Sequence, residues 1–190
     1  LAEIILEVET QELGISAGLQ DRVAQVYQGL VYMDFDKKLM DKQGYGHYKN
    51  FNANLLPNLY IAYQKDLSEI SEIVHGDLRS RYNRGNEDVL SAIGFWADLT
   101  DKVHNMLIDG KGNEIGELLN ANFDMRAKVC QISEGNMNMI KAARAAGASA
   151  KFTGSGGAII GTYQDEDMFD KIVLNTRKFG VEVIKPEIVV

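Results

Sequence analysis

A carboxylate, a guanidinium and two glycines stand close together in Glu9-Thr10-Gln11-Glu12-Leu13-Gly14-Ile15-Ser16-Ala17-Gly18-Leu19-Gln20-Asp21-Arg22. Gly14 and Gly18 flank a tight bend, where the lack of a β-carbon lets a main chain or a ligand approach closely. Asp21 follows the bend. A carboxylate there can orient or deprotonate a substrate hydroxyl, and Arg22 beside it can keep it ionised or neutralise phosphate charge. These are the groups of the acceptor side of a phosphoryl-transfer site. A helix C-cap followed by a solvated Asp-Arg pair accounts for the same residues without any chemistry.

A second cluster bears on the choice. Ala148-Ser149-Ala150-Lys151-Phe152-Thr153-Gly154-Ser155-Gly156-Gly157-Ala158-Ile159-Ile160-Gly161 follows a helical run and feeds an apolar strand. Its small residues leave backbone N–H groups able to face an anion. A close-packed turn before a buried strand is the plain alternative. A third cluster, His75-Gly76-Asp77-Leu78-Arg79-Ser80-Arg81-Tyr82-Asn83-Arg84, holds three arginines, a residue suited to bidentate recognition of carboxylate or phosphate. A solvated helix face is the simpler explanation, as it is for most charge runs.

The elements that must position these residues alternate between helix and strand. A helix over 1–12 leads into the bend, and 23–35 reads as a short helical turn followed by the strand-forming run Leu30-Val31-Tyr32-Met33-Asp34-Phe35. Residues 36–58 are polar, with Gly44, Gly46, Asn50, Asn52, Asn54 and Pro57, and read as a connection around a weak extended stretch. Leu59-Tyr60-Ile61-Ala62-Tyr63 is a strand. From Ser68 to Leu107 the pattern is helical, broken at Asn83-Arg84-Gly85-Asn86, with Asn86 or Asp88 as the next cap. Residues 113–129 and 136–146 are amphipathic helices, and strand 158–163, helix 166–179 and strand 181–185 complete an α+β layer.

Composition sets outer limits. The 190 residues suit one or two domains with a real core, and no apolar run is long enough to cross a bilayer. No secretory signal is visible, and a cytoplasmic location is expected. A net charge of -7 speaks against nucleic acid as a partner. Cys130 is single and reads as a packed thiol, while His47, His75 and His104 show no metal-ligand spacing.

The two glycine blocks, in this order, resemble those of the GHMP kinases, the family of galactokinase, homoserine kinase and mevalonate kinase. Within it the chain is most similar to the glucuronokinase-like sugar kinases. The resemblance is strongest over Glu12-Leu-Gly-Ile-Ser-Ala-Gly-Leu-Gln-Asp-Arg-Val-Ala-Gln-Val-Tyr27 with Gly29-Leu-Val-Tyr-Met-Asp-Phe35, and over Lys151 to Ala158, the third family motif. It is loose between about 36 and 115. Ala158 stands where that motif often has another glycine.

The resemblance implies a fold and roles. The fold is α+β: the rest of an S5-like N-terminal domain over 1–66, then a ferredoxin-like α/β-sandwich C-terminal domain over 67–190. Asp21 matches the catalytic aspartate, with Arg22 balancing charge near it, and Glu9 matches the magnesium-binding glutamate better than Glu12 does. Thr153, Gly154, Ser155, Gly156 and Gly157 match the ATP-phosphate loop. Gly18 and Gln20, with Arg79 and Arg81 in a His-x-x-x-Arg-x-Arg pattern, are the substrate-side candidates. The cofactors implied are ATP and Mg2+. The family's earlier Pro-x-x-x-Gly-Leu-x-x-Ser-Ser-like loop is not among the 190 residues, so the chain is expected to be a piece of the enzyme, inactive alone, with the N-terminal segment of the same protein or a second copy of itself as a partner.

The activity expected is ATP-dependent phosphorylation of a sugar hydroxyl, with a uronic acid such as glucuronate, at its anomeric position, as the leading acceptor. The alternatives are another sugar, such as a heptose phosphate, or a non-catalytic ligand-binding module on a ferredoxin-like fold.

Overall fold

The computed structural model describes residues 1–15, 17–67 and 71–188, without the side chains of 71–76. Ser16 of the bend, the expected helix start at Ser68, the His75 side chain and the last two residues lie outside the described residues. The chain divides into two compact units, Leu1–Leu55 with Ile188 and Leu56–Glu187. The division falls before the strand Leu59–Tyr63 and not after residue 66, because that strand is hydrogen-bonded on both sides to strands of the second unit.

In the first unit, α1 (Ala2–Glu7) runs on into a wider, π-helical turn at Val8–Glu12. The Thr10 hydroxyl donates to the Leu6 carbonyl at 2.8 Å, a side-chain bond of the kind that competes with the helical ladder. Leu13 N–H then bonds the Val8 carbonyl and Ile15 N–H the Glu9 carbonyl. The expected helix over 1–12 therefore has two pitches. After the bend, α2 (Leu19–Tyr27) packs on α1, and its Val23 is fully buried.

The strand β1 (Leu30–Asp34) pairs antiparallel with β2 (His47–Phe51), Leu30 opposite Phe51 and Asp34 opposite His47. Between them lies α3 (Lys37–Gln43), where the sequence reads as a connection. Its signals are local: the Asp36 carboxylate accepts from Leu39 N–H at 3.1 Å as an N-cap, and Gly44 at φ +78° ends it in the left-handed region. Tyr48 packs edge-on against Tyr27, ring centroids 5.5 Å apart, and ties the hairpin to α2.

The second unit is built on a four-stranded sheet. Its strands are β3 (Leu59–Tyr63), β4 (Lys151–Phe152), β5 (Ala158–Thr162) and β6 (Glu182–Ile184), in the spatial order β4-β5-β3-β6, all antiparallel. Four helices, α4 (Ser71–Asn83), α5 (Glu87–Ile108), α6 (Gly116–Val129) and α7 (Glu134–Ala145), lie between β3 and β4 in the chain, and α8 (Glu166–Arg177) lies between β5 and β6. Strand, helices, two strands, helix and strand in that spatial order make the ferredoxin-like arrangement. Alternate residues of β3 and β5 are buried, and Tyr60, Ala62 and Ile159 meet Phe123, Met139, Ile140 and Ile172 of the helices in one core. Asn86 caps α5, its side-chain oxygen accepting from Val89 N–H at 3.1 Å. No helix among the described residues is long and apolar enough to cross a membrane.

Candidate functional site

The candidate residues fall in both units, and each set is built by its own neighbours. In the first unit, Gly14 has φ +65°, which suits glycine. Gly18 is different: at φ -113° and ψ 148° it is an extended N-cap that many residues could adopt, with open space where a β-carbon would stand. The bend therefore needs one glycine for its backbone, not two.

Asp21 lies in the first turn of α2, where the orphan N–H groups favour a negative charge. Its side chain is 76% exposed, open to a ligand. Arg22 does not serve Asp21 first. Its Nε donates to Glu9 Oε2, while Nη1 stands 3.8 Å from Asp21 Oδ2. The bond to Glu9 holds the Arg22 guanidinium above its ordinary pKa, with the charges of Glu9 and Asp21 adding to it against a cost of burial. Glu9 is fixed twice, by Ile15 N–H at its carbonyl and by Arg22 at its carboxylate. Glu12 is exposed, and so is Gln20.

In the second unit, the Thr153–Gly157 loop joins β4 to β5, and Thr153 N–H closes it on the Ala158 carbonyl at 3.1 Å. Three residues outside the loop hold it. Arg126 of α6 donates from Nη1 to the Gly154 carbonyl at 2.9 Å and from Nη2 to the Ser155 carbonyl at 3.1 Å. The fully buried Asn136 of α7 accepts from Gly157 N–H at 2.8 Å, and Gln64 N–H reaches the Gly157 carbonyl at 2.9 Å. Lys151, which opens the motif, donates to the Phe152 carbonyl at 2.7 Å, and burial, with the Arg126 charge adding, lowers its pKa.

Arg126 and Asn136 carry no motif of their own, and the sequence reading does not single them out. The only sign of Asn136 is a polar residue on the helix face that also carries Met139 and Ile140.

The arginine cluster divides. Arg81 is tied into the fold: Nη1 donates to the Val129 carbonyl at 2.5 Å and meets Asp77 at 3.4 Å, and Nη2 reaches Asn86 Oδ1 at 3.4 Å. It satisfies the C-terminal end of α6 and joins α4 to the cap of α5, which is a structural task and not that of a ligand clamp. Arg79 and Arg84 are exposed.

Among the described residues, no group of three or more His, Cys, Asp or Glu side chains is gathered to hold a metal. One carboxylate is nevertheless enough for magnesium when phosphate oxygens and water supply the remaining ligands. Glu9, held by Arg22 through Oε2, is the residue that would supply that carboxylate.

No family model matches the chain. Among curated proteins, Glucuronokinase 1 of Arabidopsis thaliana is 42% identical over 161 residues, which cover 83% of this chain and 44% of that protein. The chain thus spans about half the length of the relative it matches. Among solved structures, Lactococcus lactis galactokinase complexed with galactose superposes over 96% of this chain and 57% of its own, with a TM-score of 0.71 at 13% identity. The L. major mevalonate kinase in complex with R-mevalonate covers 94% of this chain and 56% of its own, with a TM-score of 0.70 at 17% identity. The chain is a homologue of glucuronokinase over most of its length and has the fold of the GHMP kinases.

Proposed function

We propose that the protein carrying this chain transfers the terminal phosphate of ATP to a sugar hydroxyl, with a uronic acid such as glucuronate, at its anomeric position, as the acceptor. The observation that carries this reading is the 42% identity to a glucuronokinase over 83% of the chain.

Asp21 is the group proposed to orient the acceptor hydroxyl and take up its proton, and its exposed carboxylate supports that role. Arg22 holds Glu9 and adds positive charge near Asp21. Glu9 would hold magnesium, which when bound offsets the negative charge of the nucleotide phosphates. The Thr153–Gly157 loop is proposed to receive those phosphates on its backbone amides. Gly18 and Gln20 border the acceptor side, and Arg79 is the arginine left for the uronate carboxylate, since Arg81 is occupied elsewhere. The division into a GHMP N-terminal part and a C-terminal domain follows the same reading, as does a cytoplasmic location, where ATP is at hand.

The test is a panel of acceptors with magnesium-ATP and the natural full-length protein. Glucuronate should be converted to a phosphate that is labile to acid, as an anomeric phosphate is, and galactose and a heptose phosphate should turn over far more slowly. Faster turnover of a neutral sugar would overturn the uronic-acid assignment. ADP release with none of them would overturn the kinase reading.

A further inference from the structure

Among the described residues, Gln28 alone combines a side chain with a positive φ. It closes α2 at φ +57° and ψ 171°, a backbone region confined almost wholly to glycine, because a β-carbon there crowds the adjoining peptide units. A glycine stands one position later, at Gly29, itself at φ +62°.

The surroundings account for how the strain is held. Gln28 N–H bonds the Ala24 carbonyl at 3.0 Å. Just before it, the Tyr27 ring packs on Tyr48 and the Tyr27 carbonyl accepts from Asn50 Nδ2 at 3.2 Å. Just after it, β1 begins with Leu30 opposite Phe51. The chain is pinned on both sides and reverses within two residues. None of these contacts uses the Gln28 side chain, so a glycine would make all of them in a relaxed backbone. What glycine would lack is the side chain itself, which is exposed and makes no hydrogen bond to any described residue. Backbone strain of this kind gathers where a fold keeps a side chain for use.

Its place on α2 says what that use is. Gln28 follows Asp21 by seven residues, two helical turns or about 10 Å of axis, and so shares its face. Ala24 and Gln25, which lie between them on that face, are exposed, whereas Val23 is fully buried. The Asp21 carboxylate and the Gln28 amide thus stand at the two ends of one open strip.

We infer that Gln28 is a specificity-determining residue of the acceptor site: its amide, which both donates and accepts, bonds hydroxyls of the sugar ring whose reacting hydroxyl lies at Asp21. This rests on the kinase reading above for the identity of the ligand, and on the strained backbone for the use of the side chain. A contact to ring hydroxyls is shared by uronic and neutral sugars, which separates Gln28 from Arg79, the residue proposed for the carboxylate.

Two variants of the natural full-length protein divide the backbone from the side chain. Gln28→Gly removes both the side chain and the strain, and Gln28→Ala removes the side chain but keeps the strain. Urea midpoints are measured, and glucuronate, glucose and magnesium-ATP are titrated by calorimetry. Gln28→Gly should raise the midpoint and Gln28→Ala should leave it nearly unchanged. Both should bind glucuronate and glucose about tenfold more weakly, the scale of a lost hydrogen bond, with magnesium-ATP unaffected.

Undiminished sugar affinity in both variants overturns the contact, and so does a loss in Gln28→Gly that Gln28→Ala does not share, since that would be the work of a loosened backbone. Equal losses for sugar and ATP overturn it as well. A midpoint that fails to rise in Gln28→Gly removes the strain on which the inference stands. A wild-type protein that binds glucuronate yet phosphorylates no sugar overturns the kinase reading alone, with the titrations still deciding Gln28; one that binds no sugar overturns both.

Discussion

Arg22 Nε donates to the carboxylate of Glu9, thirteen residues earlier, across the bend that separates the π-helical turn from α2. The sequence places Arg22 beside Asp21, and the fold gives it chiefly to Glu9. Glu9 and Asp21 are thereby set apart: one carboxylate is neutralised and held, the other is left exposed in the first turn of a helix.

Glu9→Gln should raise the magnesium concentration needed for half-maximal rate without altering the order of preference among sugars. It also removes the charge that Arg22 faces, so the segment from Val8 to Ile15 should be cut sooner by protease. A magnesium titration that superposes on wild type would remove Glu9 from the metal site.

Asp21→Asn should abolish most turnover in the full-length protein and leave nucleotide affinity nearly intact. On the proposed reading the lost charge serves the acceptor and not the ATP phosphates. Parallel losses of rate and ATP affinity would assign Asp21 a different task.

The arginine cluster gives a paired prediction. Arg81→Ala leaves the Val129 carbonyl without its donor and should cost about 1–3 kcal/mol of stability, read by urea unfolding, with uronic and neutral sugars affected alike. Arg79→Ala should leave stability unchanged and weaken the uronic acid about ten- to a hundredfold more than the matching neutral sugar, the scale of a lost charge-assisted pair. Equal losses for both sugars in Arg79→Ala would leave the carboxylate without its assigned partner.

Much of this was legible because it is local. The cap at Asn86, the strand at 59–63 and the α+β pattern from 113 onward all rest on neighbours within a few residues. The helix α3 has equally local signals in Asp36 and Gly44, but the polar composition around them reads as a loop. Arg81 meets Val129, and Arg126 meets Gly154, across long stretches of chain, and no pattern in the sequence announces such pairs. The domain boundary has the same cause: β3 belongs with the second unit through partners near residues 160 and 183.

Gly161 offers a test of packing. A β-carbon there would collide with the Ser149 carbonyl oxygen, a backbone atom that cannot step aside, and would crowd the Tyr60 ring at 2.8 Å. Gly161→Ala should cost at least about 3 kcal/mol, at the upper end of overpacking effects, measured by urea unfolding. A loss under about 1 kcal/mol would show that the 148–150 segment can shift.

Stability should depend on pH in two opposed ways. Lys151 has a lowered pKa in the fold, so between that value and its ordinary 10.5 the unfolded chain binds more protons, and stability rises with pH. Tyr60 is shifted upward, chiefly by burial, and its hydroxyl donates to the Ser149 carbonyl at 2.7 Å. Above the ordinary tyrosine value of 10 the folded chain keeps a proton that the unfolded one loses, and stability falls. Lys151→Met should flatten the rise, and Tyr60→Phe the fall, in urea midpoints measured across the alkaline range. A rise undiminished in Lys151→Met would place its origin in another group.

The first strand of the second unit lies inside its sheet, between β5 and β6. During synthesis Leu59–Tyr63 leaves the ribosome long before its partners: Leu59 awaits Thr162, and Ile61 awaits Ile184. The helices α4 to α6 can form and meet in order in the interval, α4 on α5 and α5 on α6, but the sheet can close only when the chain is almost complete. Until then an apolar strand stands with both edges bare, the condition that favours pairing with a neighbouring chain. The same strand order that centres the finished core therefore makes the nascent chain dependent on dilution or on chaperones, and overproduction without either should drive it into aggregates rich in intermolecular β-structure.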